Sequence, residues 1–79
     1  MKRILVADDE EKIREVIKEY AQFEGYEVAE AENGMEAVEM CRMNDFDAVV
    51  LDVMMPRMDG FSLLTQMRES GNETPVIFL

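Results

Sequence analysis

The sequence predicts an α/β fold, in which a doubly wound parallel sheet of four strands alternates with three helices. Short apolar runs without in/out alternation, such as residues 48–51, are typical of parallel strands buried on both faces. Stripes of apolar residues at helical spacing separate these runs. Gly, Asn and Pro mark the junctions between them. Because parallel crossovers are right-handed, this order predicts a sheet covered by helices on both faces.

The first half of the chain predicts two strands and two helices. Residues 4–7 form an apolar run that Asp8-Asp9 ends. A helix is expected over about 10–24, where glutamates occupy the first turn and Gly25 fits a C-terminal stop. Its apolar stripe contains Ile13, Val16, Ile17, Tyr20 and Ala21. A partly exposed strand over 26–31 and a turn at Asn33-Gly34 then lead to a second helix over about 35–43.

The second half predicts two further strands around a third helix. Residues 48–51 are fully apolar and end at Asp52. Proline restricts the residue before it, so Met55-Pro56 leaves helical geometry, and Asp59-Gly60 begins a helix that ends near Gly71. Its predicted stripe contains Phe61, Leu64, Met67 and Arg68, and a last strand covers 76–79. Since a doubly wound sheet normally continues with another helix, we expect residues 1–79 to be one domain truncated after its fourth strand.

Composition and charge exclude several classes of function. The chain has 18 acidic and 8 basic residues, a formal charge of −10, which repels nucleic acid phosphates and predicts no direct nucleic acid binding. A single cysteine, Cys41, and no histidine exclude an intrachain disulfide and a His-ligated metal. The apolar runs are too short to cross a membrane, so a cytoplasmic location is expected.

Three carboxylates are expected to converge at one edge of the sheet. Parallel strands present their carboxyl ends at the same edge, so Asp8, Asp9 and Asp52 meet if the strand order is 2-1-3-4. Oxygen ligands of this kind suit Mg²⁺, with Mn²⁺ as an alternative, and the loop after Asp52 could add the backbone carbonyl of Met54. An Asp52 oxygen could then attack a phosphoryl group in line. The simpler alternative is that these residues only cap helices.

The combined motifs closely resemble the receiver domains of two-component response regulators. The strings that carry the resemblance span the chain in order, and they are residues 4–10 (ILVADDE), 25–28 (GYEV), 32–37 (ENGMEA), 50–60 (VLDVMMPRMDG) and 74–79 (TPVIFL). The resemblance implies a flavodoxin-like, CheY-like fold and a signalling phosphoacceptor domain rather than an ordinary enzyme. It implies Asp52 as the phosphoacceptor, Asp9 as a direct Mg²⁺ ligand and Asp8 as a direct or water-mediated ligand. The implied phosphoryl donor is a sensor histidine kinase or a phosphotransfer protein, contacted partly through residues 10–24.

The resemblance also implies elements beyond the fourth strand, namely a Ser or Thr, a helix, a fifth strand ending in Lys and a last helix. Without them, output switching is expected to be impaired, and the last strand is expected to be an unpaired edge. A second hypothesis is therefore a structural half-domain that forms homo-oligomers through this edge or by exchange of elements.

Two other interpretations are weaker. An Asp-based phosphatase of the haloacid-dehalogenase type would need a second Asp where Met54 stands. The methionines could line a promiscuous binding surface or a soft-metal site, but their helical spacing and loop position favour a core role. They are Met40, Met43, Met54, Met55, Met58 and Met67, and Cys41 is likewise interpreted as a small buried hydrophobe.

Overall fold

The computed structural model describes residues 2–79, which form four strands and three helices in strict alternation. The strands are β1 (Arg3–Ala7), β2 (Glu27–Ala31), β3 (Ala48–Leu51) and β4 (Val76–Phe78). The helices are α1 (Glu11–Phe23), α2 (Gly34–Met43) and α3 (Gly60–Glu69). Every predicted element is present, and its bounds differ from the predicted ones by no more than a residue or two at most ends.

The sheet is parallel throughout, with the strand order β2-β1-β3-β4. This confirms the predicted fold class and order. β1 and β3, which are not consecutive in sequence, are neighbours at the centre, so the winding direction reverses between them. Such a reversal opens a crevice at the carboxyl ends of the central strands, and the candidate site lies there.

Polar side chains fix where two helices begin and a glycine fixes where the first one ends. The Asn33 side chain accepts a hydrogen bond from the Glu36 amide at 2.8 Å, and Asp59 accepts one from the Ser62 amide at 2.8 Å. Both are N-caps that satisfy an amide left unpaired in the first helical turn. Gly25 has a φ of 91°, the left-handed conformation that ends α1.

The main core lies on the face of the sheet covered by α2 and α3. Its buried residues from the sheet are Leu5, Ala7, Ala31, Val49 and Leu51, and its helical contributors are Ala37, Leu63 and Met67. Loop residues Phe46 and Met55 complete it. Strand residues at alternate positions face this core, as the period-2 geometry of a strand requires.

The α1 face of the sheet is less completely covered. α1 packs on β1 and β2, where Ala21 is buried and Ile17 partly buried. Of the predicted stripe, however, Ile13, Val16 and Tyr20 are exposed. Among residues 2–79, α1 is the one helix on this face, so no other helix in this range packs beside it.

Two details of the predicted helical core are wrong. In α3 the core residues are Leu63 and Met67, whereas Phe61 is exposed and Leu64 is only partly buried. Spacing alone allowed either stripe, and the orientation of α3 on α2 decided between them. Phe61 instead packs its ring on that of Phe78 in β4, with centroids 5.0 Å apart.

The methionines divide between core and surface. Met55 and Met67 are buried, and Met40 and Met58 pack against the core from its edge. Met43 and Met54 are largely exposed, so the predicted core role is wrong for both. Cys41 is partly buried against the core, and burial raises the pKa of its thiol. No helix among the described residues has the length and apolar content needed to cross a bilayer.

Candidate functional site

Asp8 and Asp52 lie side by side because the strands that precede them are paired in parallel. Ala7 is opposite Leu51 in the β1–β3 ladder, so the residue after each strand enters the same edge. The Asp52 amide donates to the Ala7 carbonyl at 2.9 Å, and the Asp8 amide donates to the Ala31 carbonyl at 3.1 Å. The hydrogen bonds between neighbouring strands thus continue for one residue past the strand ends. They fix the backbone of both aspartates.

The structure brings the three predicted aspartates together. One carboxylate oxygen from each of Asp8, Asp9 and Asp52 lies within 4.8 Å of the other two. Asp8 is 1% exposed, Asp9 is exposed and Asp52 is intermediate, so the cluster opens outward from a buried floor. Like charges at this separation repel unless a proton or a cation joins them. Their roles as metal ligands and phosphoacceptor stay predictions.

Asp8 is the aspartate whose protonation the fold perturbs. Burial raises the pKa of its carboxyl above the ordinary value, because the charged form is desolvated. A hydrogen bond from the Glu10 amide to Asp8 Oδ1, at 2.8 Å, opposes this shift. The charges of Asp52 and Asp9 raise the pKa further, and the charge of Arg14 lowers it. The net direction is upward, so folding disfavours the ionised form of Asp8.

The raised pKa of Asp8 predicts a pH dependence of stability. The folded state holds the Asp8 proton more tightly than the unfolded state, so this stabilising contribution is complete below the unfolded-state pKa. It is lost as pH rises through the folded-state pKa. Asn keeps the oxygen that accepts from Glu10 but cannot ionise. We therefore expect Asp8→Asn to raise the free energy of unfolding at neutral pH by about 0.5–2 kcal/mol without metal.

Urea denaturation at several pH values measures this effect of Asp8→Asn. Glu32→Asn is a matched control, because it removes one exposed negative charge and introduces the same side chain. The Asp8 variant should also lose the downward slope of stability above the ordinary pKa of Asp. A less stable Asp8→Asn protein at neutral pH would contradict the prediction.

The loop after Asp52 turns back toward the aspartate. The Met54 amide donates to Asp52 Oδ1 at 3.1 Å, so this oxygen of the carboxylate takes part in the turn. The Met54 side chain projects into solvent. Its backbone lies within the turn that Asp52 nucleates, in the segment predicted to supply a carbonyl ligand. Coordination by the Met54 carbonyl stays a prediction.

Gly60 lets the start of α3 approach the backbone of Asp52 closely. A Cβ at Gly60 would lie 2.8 Å from the Asp52 carbonyl oxygen and 3.2 Å from the Val53 Cα. The Gly60 amide donates to the Val53 carbonyl at 3.0 Å. The Asp59-Gly60 pair therefore does more than begin the third helix, because it also anchors the loop against the strand end.

Sequence reasoning missed three residues around the site. Arg14 and Glu30 form an ion pair beside Asp8, at 3.3 Å. Gly34, predicted only as a turn residue, is buried at the start of α2 and contacts the backbone of Met58. The available signal was the i, i+4 spacing of Arg14 and Lys18 on one helix face, opposite a glutamate in the next strand. It was masked by the apolar residues Ile13 and Ile17, which directly precede the two cations and dominate the helical pattern.

The family model described as the response regulator receiver domain matches residues 4–79. The chain belongs to the response regulator receiver domain family. Accepting a phosphoryl group is the established function of this family, and its members are signalling domains rather than catalytic enzymes.

Similar sequences and solved structures are also receiver domains or contain one. The response regulator MprA of Mycobacterium sp. strain KMS is 46% identical over 77 residues, which are 98% of this chain and 34% of that protein. The receiver domain of the Francisella response regulator 1452 has a TM-score of 0.95 at 40% identity, over 99% of this chain and 64% of that one. Response regulator TrrA of Thermotoga maritima, solved with Mg²⁺-BeF, has a TM-score of 0.94 at 44% identity, over 99% of this chain and 68% of that one.

These receiver domains confirm the fold class and the family predicted from the motifs. The chain spans about a third of the length of the curated relatives it matches. Receiver domains of response regulators interact with histidine kinases or phosphotransfer proteins, and the family binds Mg²⁺ at its acidic site.

Proposed function

We propose that Asp52 of this receiver domain is the residue that accepts the phosphoryl group, beside Mg²⁺ held by Asp8, Asp9, Asp52 and the backbone carbonyl of Met54. The observation that carries the proposal is the approach of the three carboxylates within 4.8 Å of one another. Residues 1–79 are in this proposal part of a single receiver domain. The solved receiver chains, of which this chain covers 64–68%, support that assignment.

The donor set fits Mg²⁺, with Mn²⁺ as an alternative. All of its ligands are hard oxygens, which these ions prefer over nitrogen and sulfur ligands. Burial and two neighbouring carboxylates disfavour the charge on Asp8, and a divalent cation would offset that repulsion. The bound ion would neutralise charge on the phosphoryl oxygens. The Mg²⁺-BeF complex of TrrA, at 44% identity, supports the same assignment.

Asp52 has the properties of a nucleophile for phosphoryl transfer. Its carboxylate is partly exposed at the mouth of the cluster, while the Met54 amide holds one oxygen and so orients the other. The second oxygen forms a bond to phosphorus as the bond from phosphorus to the donor nitrogen breaks. The product is an acyl phosphate, and the donor imidazole keeps the electron pair of the broken bond.

The proposed partner is a sensor histidine kinase or a phosphotransfer protein that presents a phosphohistidine. We propose a cytoplasmic location, since ATP-derived phosphoryl donors are made there and the one thiol requires no oxidising compartment. The charge of −10 supports the absence of direct nucleic acid binding by this segment.

Phosphoryl incorporation tests the proposed function. The chain is incubated with a small-molecule donor such as acetyl phosphate, with Mg²⁺ or with EDTA, and its intact mass is measured. We expect one phosphoryl group per chain with Mg²⁺ and none with EDTA. In thermal melts, Mg²⁺ at 100 times its Kd should stabilise the protein by about 2.7 kcal/mol. Incorporation that is unaffected by EDTA would overturn the metal assignment.

Self-association is a second candidate property, favoured by the exposed apolar surface on the α1 face. β4 is an edge strand, and its Ile77 is 56% exposed on that face. Tyr20 and Phe23 of α1 are also largely exposed. The other edge strand, β2, carries Glu27 and Glu30, and such charges oppose edge pairing. We propose that two copies pair through β4 and bury this apolar surface.

Light scattering over a range of protein concentrations tests this pairing. We expect the unsubstituted chain to self-associate and Ile77→Lys to remain monomeric, because the charge would be buried at the interface. Met43→Lys is the matched control, since Met43 is 76% exposed on α2, on the opposite face of the sheet, and the charge change is identical. A monomeric unsubstituted chain at high concentration would overturn the proposal.

A further inference from the structure

Arg14 lies inside the protein beside the acidic cluster, although it is on a largely exposed helix. Its side chain is 12% exposed. One arm of the guanidinium, Nη1, donates to the backbone carbonyl of Asp8 at 2.6 Å, and Nε donates to Glu30 Oε1 at 3.3 Å. The planar fork therefore joins the end of β1 to β2 from a position in α1.

The Asp8 carbonyl belongs to the peptide plane that joins Asp8 to Asp9. Because this plane is rigid, fixing its oxygen also fixes the direction in which the chain continues to the Cα of Asp9. The other polar groups of Asp8 are held as well, since its amide donates to Ala31 and its Oδ1 accepts from Glu10. Asp9 is exposed, so its placement follows from the backbone that precedes it.

The positive charge of Arg14, like its hydrogen bond to the Asp8 carbonyl, helps to keep Asp9 near the other two aspartates. Three carboxylates within 4.8 Å repel one another, and repulsion favours a rotation of the exposed member, Asp9, away from the other two. Arg14 opposes this rotation by holding the peptide plane and by adding a positive charge beside it. Lys18 pairs with Glu30 at 3.3 Å and so leaves Glu30 shared between two cations.

We propose that Arg14 is a positioning residue of the Mg²⁺ site, which holds the Asp8–Asp9 peptide plane so that the Asp9 carboxylate faces Asp8 and Asp52. This inference rests on the proposed function and extends it to a residue that touches neither the metal nor the phosphoryl group. Arg14 thereby orders the Asp9 carboxylate before the ion binds, whereas the loop alone would leave this ligand free to rotate.

Mg²⁺ binding by calorimetry tests the role of Arg14. We expect Arg14→Met to raise the Kd for Mg²⁺ about 10-fold, the size of effect seen when the partner of a metal ligand is removed. Arg14→Lys should give a smaller rise, since an ammonium can donate to the Asp8 carbonyl but lacks the planar fork. Lys18→Met is the matched control: it removes a cation of the same Glu30 network about one helical turn away, and should change the Kd by less than about twofold.

The amide resonance of Asp9 gives a second readout that a general structural role would not move. In metal-free protein, Arg14→Met should shift the ¹H–¹⁵N resonance of Asp9, whose amide lies in the peptide plane that Arg14 holds, and leave those of Leu5 and Val6 in place. Should Arg14→Met fail to fold, Arg14→Lys decides the matter, and an unchanged Kd in that variant would overturn the inference.

The outcomes separate this inference from the proposed function. No Mg²⁺ binding by the unsubstituted chain would overturn both. If the unsubstituted chain and Arg14→Met bind Mg²⁺ with the same Kd, and the Asp9 amide resonance of the variant does not shift, only the role of Arg14 would be overturned.

Discussion

Asp52→Asn is expected to abolish phosphoryl incorporation without unfolding the protein. Asn keeps the Oδ1 that accepts from the Met54 amide, but its amide nitrogen is not a nucleophile toward phosphorus. The variant removes one of three mutually repelling charges, so its stability without metal should be equal or higher. Loss of the Asp52 charge should also lower the pKa of Asp8, which that charge raises. Intact mass after incubation with acetyl phosphate and Mg²⁺ measures the first effect, and urea denaturation the second.

Asp59→Asn is the matched control for Asp52→Asn. Asp59 lies in the same loop, is exposed, and caps α3 through an oxygen that Asn retains. The Asp59 variant should incorporate one phosphoryl group like the unsubstituted chain. Equal incorporation by the Asp52 variant would show that another residue is the acceptor, and it would overturn the assignment of Asp52.

Gly34→Ala is expected to lower the free energy of unfolding by about 3 kcal/mol, the upper end of the usual range for overpacking. A Cβ at Gly34 would meet the backbone of Met58, with the Met58 carbonyl oxygen as its closest contact and the Met58 Cβ at 2.6 Å. Because most of these atoms are backbone, a side-chain rotation cannot relieve the clash. For a single domain of this size, such a loss is a large share of the total stability.

The same substitution should weaken Mg²⁺ binding, because the loop displaced from Gly34 is the one that follows Asp52. Urea denaturation measures the stability and calorimetry the Kd. Met35→Ala is the control, since it changes the next residue of α2, which is exposed, and should alter stability by less than about 0.5 kcal/mol. A Gly34→Ala protein as stable as the unsubstituted chain would show that the loop and α2 can separate without loss.

The strand pattern made the candidate site predictable from sequence. Residues 48–51 are apolar without alternation, as is typical of a parallel strand buried on both faces, and Asp52 follows directly. The same pattern at 4–7 places Asp8 and Asp9 at the same edge. Parallel pairing of these two strands, which requires the order β2-β1-β3-β4, then brings the carboxylates together.

Helix orientation was less predictable. In α3, three-to-four spacing allowed the predicted stripe, in which Phe61 and Leu64 accompany Met67, or one in which Leu63 accompanies Met67. Packing on α2 selected the second, and Phe61 turned instead toward Phe78. Rotating a helix by about one residue changes which side chains are buried while the periodicity stays the same. The methionines show the same limit, since Met43 extends from the end of α2 beyond the core.

By itself the sequence determined the order of elements, the parallel sheet and the edge at which three aspartates meet, because each depends on local periodicity and on the direction of the chain. Only the tertiary structure decided that Arg14 reaches the Asp8 carbonyl and Glu30, and that Gly34 lies against Met58. Both contacts join elements whose distance and rotation are set by packing. A one-dimensional pattern does not record those two quantities, and they determine how firmly the acidic site is held.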